Sequence, residues 1–125
     1  MDRQMNGKCV TADVRVEYKD REDTLYLTPV GEIDHHSASF LREKMDAALY
    51  EYRAPTAVLV LDQISFMDSA GLGLILGRYS RQKEWGGCLR LEKPSAEILK
   101  ILRLAGVERM LPIIPADGKK GGKSK

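Results

Sequence analysis

The chain has 125 residues, 43% of them hydrophobic and 30% charged, which is the balance of one ordinary globular domain with room for a single core. Its formal charge of +2 is set by the end of the chain. Residues 119–125 hold four lysines and no acid, so the remainder stands at −2, which argues against a nucleic-acid-binding surface. The two cysteines, Cys9 and Cys88, form neither a disulfide framework nor a metal-ligand spacing. Met1–Lys8 lack the apolar segment of a secretory leader, and no apolar run approaches the roughly 18 residues that span a bilayer. A cytoplasmic protein is therefore expected, with no membrane partner.

Residues 1–8 are polar and are expected to be flexible, and the domain is expected over 9–116. From Val10 to Tyr18 apolar and polar residues alternate, the period of a half-buried strand. Arg21-Glu22-Asp23 is a polar connection, and residues 24–30 return as a second strand of a hairpin. Pro29 cannot donate to a ladder, so this strand is expected at an edge or at a bulge. Gly31–Ser37 leads into a helix capped by Asp34 or Ser37. Along that helix Leu41, Met45, Ala48, Leu49 and Tyr52 form one apolar stripe, and Pro55 stops it. Residues 57–61 are continuously apolar, as in a central strand covered on both faces.

The next stretch, Ser65 to Tyr79, holds the chemistry. A helix opens at Asp68-Ser69, because Asp and Ser accept the unpaired N–H groups of a first helical turn. Behind that opening lie Gly71, Gly73 and Gly77. Each glycine costs a helix interior about 0.5–1 kcal/mol against alanine, so three imply close packing on a sheet or a partner. Gly86-Gly87 ends the helix and Cys88–Glu92 supplies another strand. Pro94-Ser95 opens a third helix with Ile98, Ile101, Leu102 and Ala105 on one side, and Leu99 and Leu104 left over. Gly106 is placed to end it in the left-handed conformation, with Val107 packing back. A short apolar segment, 110–114, precedes a Gly/Lys tail over 117–125 with the composition of a flexible terminus. Strands alternating with helices predict a single α/β domain with a mixed, mostly parallel sheet of four to five strands.

Ser69 admits three roles: a helix cap, a hydrolase nucleophile, or a phosphate acceptor. A nucleophile needs a base such as His35 or His36, but no G-x-S-x-G elbow surrounds Ser69, and Asp68 beside it opposes an alkoxide. A phosphate acceptor needs only exposure and a firm presentation to another protein's kinase site. The glycine pattern is neither the dinucleotide fingerprint nor a P-loop, so no cofactor is expected. His35 and His36 lack the companions of a metal site. Asp34 ends a strand on the same side as Ser69 if the two strands are parallel.

The segments Gly31–His36 and Phe66–Tyr79 closely resemble the anti-sigma factor antagonists of the STAS-domain family, nearest to the sporulation branch. The resemblance covers about residues 10–114, with both motifs in the right order. It implies a small α/β binding module, not an enzyme, that captures an anti-sigma factor and so frees a sigma factor for transcription. That anti-sigma factor is implied to be a serine kinase which brings ATP and Mg, phosphorylates Ser69 and is thereby released, while a serine phosphatase resets the switch. Asp34 and Asp68 then flank the acceptor, and Ala70, Gly71, Leu72 and Gly73 contribute the docking surface. Trp85 and both tails depart from the pattern.

Overall fold

A computed structural model describes residues 12–116. The expected loose N-terminus, Cys9, Val10 and the Gly/Lys tail over 117–125 lie outside those residues. Strand β1 (Ala12–Lys19) and strand β2 (Thr24–Ile33) form the hairpin, joined by a short 3-10 turn. Helix α1 (Ala38–Tyr52), β3 (Thr56–Val60), β4 (Ile64–Met67), α2 (Ser69–Glu84), β5 (Cys88–Glu92), α3 (Ala96–Leu104) and β6 (Ile113–Ile114) follow. The sheet runs β1-β2-β3-β5-β6, with β4 beside β2 and only the β1–β2 pair antiparallel. The mixed, mostly parallel α/β domain read from the sequence is thus present, with six strands.

The additional strand is β4. It begins where β3 has stopped, so β2 is flanked first by β3, through Leu27–Leu59, and then by β4, from Gly31–Ile64. This arrangement corrects the edge alternative for Pro29, because β2 is an interior strand, while the bulge alternative is met two residues on, at Gly31. The Gly31 N–H donates to the Gln63 carbonyl at 3.0 Å. Two residues earlier, Pro29 lies in the interval between the residues paired with β3 and those paired with β4, so its missing N–H interrupts neither ladder. Gly31, at φ 103°, then carries the bulge that shifts the register of β2 against β4.

The core is built from Leu25, Leu27, Leu59, Leu61, Leu89 and Leu91 of the sheet region, all at most 1% exposed, together with Leu41, Met45 and Leu49 of α1. β3 is covered on both faces, since Ala57, Val58 and Leu59 in succession are fully buried. Tyr52 departs from the expected stripe. It lies partly exposed and stacks on Tyr18, with ring centroids 4.9 Å apart. Gly106, at φ 77°, does end α3 in the left-handed region, and Val107 and Leu102 join the core. Ala105 and Leu104 both face solvent, so the buried side of α3 is narrower than the sequence pattern suggested. Among the described residues no helix is long and apolar enough to cross a membrane.

Candidate functional site

Parallel pairing of β2 with β4 ends at Ile33–Met67, so the two strands deliver Asp34 and Asp68 to the same end of the sheet. The Asp68 N–H donates to the Ile33 carbonyl at 3.2 Å, which fixes the entry to α2. Asp68 is the N-cap in extended backbone, and its Oδ1 accepts the N–H groups of Ala70 at 2.8 Å and Gly71 at 3.3 Å. Its other oxygen, Oδ2, accepts the His35 N–H at 3.3 Å and faces His35 Nδ1 at 3.5 Å. One carboxylate therefore closes the mouth of α2 and holds the neighbouring turn.

Asp34 organises that turn in the same way. Its Oδ1 accepts the N–H groups of His36 at 2.9 Å and Ser37 at 3.0 Å. Ser37 Oγ donates to the Glu32 carbonyl at 2.7 Å and accepts the Asp34 N–H at 3.1 Å, while its side chain makes no cap bond to α1. Partial burial of each carboxyl opposes ionisation. The opposing backbone donors prevail, Ser37 and His36 for Asp34 and Ala70, Gly71 and His35 for Asp68, and hold both below the ordinary value of 3.8. The site therefore carries two firmly ionised carboxylates beside a helix N-terminus.

Ser69 is the first residue of α2 and is exposed. Because Asp68 supplies the cap, the Ser69 hydroxyl has no hydrogen-bond partner among the described residues. That removes its role as helix cap. It also leaves no imidazole bound to the hydroxyl, since His35 turns its Nδ1 to Asp68 and its ring lies 4.0 Å from that of His36. No group of His, Cys, Asp or Glu among the described residues is arranged to hold a metal ion.

The glycines separate into two kinds. A Cβ on Gly71 would meet Met67 Cγ and, at 2.9 Å, the Ile33 carbonyl oxygen. Gly71 is buried, so it lets α2 sit on the strand ends and offers a partner no surface of its own. At Gly73 and Gly77 an added methyl group would find nothing within 4 Å, so of the two expected neighbours, a sheet or a partner, the strand ends account for Gly71 alone. Ala70, Leu72 and Gly73 remain at the surface beside Ser69, Leu72 and Ala70 partly and Gly73 fully.

Two residues of α2 escaped the sequence reading. Arg78 and Gln82 are 6% and 1% exposed, and they continue the buried stripe of Gly71, Leu74 and Ile75. Steps of four from Leu74 reach both, a periodic signal masked by their polar residue types. Gln82 Nε2 donates to the carbonyls of Ala54 at 3.2 Å and Cys88 at 3.0 Å, joining the α1–β3 connection to the start of β5.

The fold and this helix mouth define a small α/β module that exposes one serine at the end of the sheet where Asp34 and Asp68 also lie. A STAS-domain model matches residues 15–118, and the chain belongs to the STAS-domain family. It is 32% identical over 101 residues to the anti-sigma F factor antagonist of Paenibacillus polymyxa, covering 81% of this chain and 86% of that one. Identity to the anti-sigma-B factor antagonist of Bacillus subtilis (strain 168) is 34%, over 81% of this chain and 91% of the relative. Among solved structures, the anti-sigma factor antagonist SpoIIAA in its unphosphorylated form aligns with a TM-score of 0.64 and 27% identity, over 87% of this chain and 94% of that one. Its phosphorylated form, described as a Bacillus cell fate determinant, aligns with a TM-score of 0.63 and 25% identity over 90% and 100%.

Proposed function

We propose that the chain is an anti-sigma factor antagonist switched by phosphorylation of Ser69. Unmodified, it binds an anti-sigma factor with serine kinase activity, and so frees a sigma factor to direct transcription. The kinase, bringing ATP and Mg, then phosphorylates Ser69 and the complex parts; a serine phosphatase restores the binding form. The observation that carries this reading is the division of labour at the mouth of α2. Asp68 does the capping, and Ser69 keeps an exposed hydroxyl without a structural task.

A phosphoserine brings about −1.5 to −2 charges, which the free N–H groups and dipole of a helix N-terminus accept. Modification thus leaves the domain folded. Its effect falls on the interface, where a dianion pressed beside Asp68 and Asp34 meets a partner surface fitted to a neutral hydroxyl. Uncompensated burial of such charge costs several kcal/mol, and about 5.5 kcal/mol turns a mostly bound population into a mostly free one. Ala70, Leu72 and Gly73 form the rest of the docking surface, with Gly71 supporting it from beneath.

The reading is tested by the affinity of Ser69→Ala and Ser69→Asp for the anti-sigma factor that co-purifies with the full chain. Ser69→Ala should bind like the wild type and resist release by ATP, and Ser69→Asp should bind more weakly. Equal affinity of both variants in the presence of ATP would refute it. A sporulation role is the first assignment. A stress-response assembly is the second, kept open because relatives named for sigma F and for sigma-B stand at 32% and 34% identity. The sigma factor released on mixing the chain with its partner decides between them.

A further inference from the structure

Ala70, Gly73, Leu74 and Arg78 lie on one stripe of α2, and with Ala38 and Arg42 of α1 they line an open groove of about 270 Å³. The groove starts at the residue after Ser69. Its wall is low at Gly73, where a methyl group would touch nothing. At its other end the Arg78 side chain is only 7% exposed. Asp46 Oδ1 stands 3.1 Å from Arg78 Nε without a hydrogen bond forming between them, and Asp46 Oδ1, Arg78 Nε and Arg78 Nη1 are all buried and lack a hydrogen-bond partner among the described residues. That same Asp46 oxygen also serves Arg81 Nε at 3.5 Å, and Arg42 faces Arg78 as a further positive charge. One carboxylate oxygen thus stands near two guanidinium groups, and Arg42 adds a third positive charge beside them. Buried donors are almost always satisfied, and Arg is the side chain suited to gripping a carboxylate by two parallel bonds.

We propose that this groove receives an acidic side chain of the protein that docks at Ser69, its carboxylate pairing with Arg78 and Arg42. The inference rests on the reading of α2 as a docking element and names the chemistry of its partner. The groove is continuous with the acceptor serine, and its excess of positive charge sits at the end remote from Asp68 and Asp34. Arg78 lies about two and a half helical turns along α2 from Ser69, so an anti-sigma factor would present a carboxylate at about that distance from its phosphoryl-transfer site.

The test reads the Arg78 Nε–Hε resonance of the full chain, assigned with Arg78→Lys, during titration with sodium acetate against sodium chloride at equal ionic strength. A saturable shift with acetate, absent with acetamide and lost in the exposed-site variant Arg42→Ala, is expected. Absence of a saturable shift overturns the site, and a shift with inorganic phosphate but not acetate overturns the carboxylate. In the complex, Arg42→Glu should weaken binding by about tenfold or more while leaving the fold unchanged; unchanged affinity also overturns the proposal. The acetate arm needs no partner, so its failure condemns the groove alone, whereas failure of ATP to modify Ser69 condemns the docking reading alone.

Discussion

Asp68 Oδ2 accepts the backbone N–H of His35 at 3.3 Å, a bond across 33 residues that ties the mouth of α2 to the β2–α1 turn. Since Oδ1 of the same side chain caps α2, the two oxygens hold different elements. Asp68→Asn retains a carbonyl oxygen for the Ala70 N–H but presents an amide donor to His35. Amide hydrogen exchange should therefore stay slow at Ala70 and quicken at His35, and Asp68→Ala should quicken both. Unaltered His35 protection in Asp68→Asn would contradict the two-sided tie.

The depressed pKa values of Asp34 and Asp68 give stability a definite pH dependence. Each carboxyl ionises more readily in the folded chain than at its ordinary value of 3.8, so its contribution is complete above that value. It is lost as pH falls through 3.8 toward the lower folded values. Urea unfolding across the acid range should show a steeper loss for wild type than for Asp34→Asn/Asp68→Asn. Parallel curves would mean that neither carboxylate is held as described.

Gly71 and Gly73 should respond oppositely to alanine. At Gly71 the new methyl meets Met67 and the Ile33 carbonyl, and overpacking of this kind costs about 1–3 kcal/mol. At Gly73 it meets nothing, so the gain in helix propensity should raise stability by about 0.5–1 kcal/mol. Denaturant midpoints of the two variants check this directly. Shifts of the reverse sign would show that α2 sits differently on the strand ends.

Gln82→Ala should destabilise by about 2–3 kcal/mol, because it empties a buried site and strands the carbonyls of Ala54 and Cys88. Equilibrium unfolding measures the loss, and amide exchange should localise it to the start of β5. A change below about 0.5 kcal/mol, the level of ordinary surface substitutions, would show that the amide bonds carry little.

The sheet, the helices and the special standing of Asp68-Ser69 were legible because alternation, apolar runs and capping residues are local signals. β4 was not. Its four residues run buried, exposed, exposed, buried and carry no period, so only pairing with the far half of β2 reveals it. Pro29 announced an irregularity but not which one, since the interruption that tolerates it is made by strands distant in sequence. Which of Asp68 and Ser69 takes the cap is decided by a backbone geometry that two adjacent cap-formers do not disclose. Gly73 and Gly77 announced close packing, but whether the neighbour is internal or a separate protein is a tertiary fact.

The central claim is that the Ser69 hydroxyl, released from capping by Asp68, is the one acceptor through which a kinase partner operates this chain. Intact-mass analysis and peptide mapping after incubation with the co-purifying kinase and ATP measure it most directly. The account expects one added phosphate, located on Ser69, in the wild type and none in Ser69→Ala. Phosphate persisting in Ser69→Ala, or mapped elsewhere in the wild type, would contradict it.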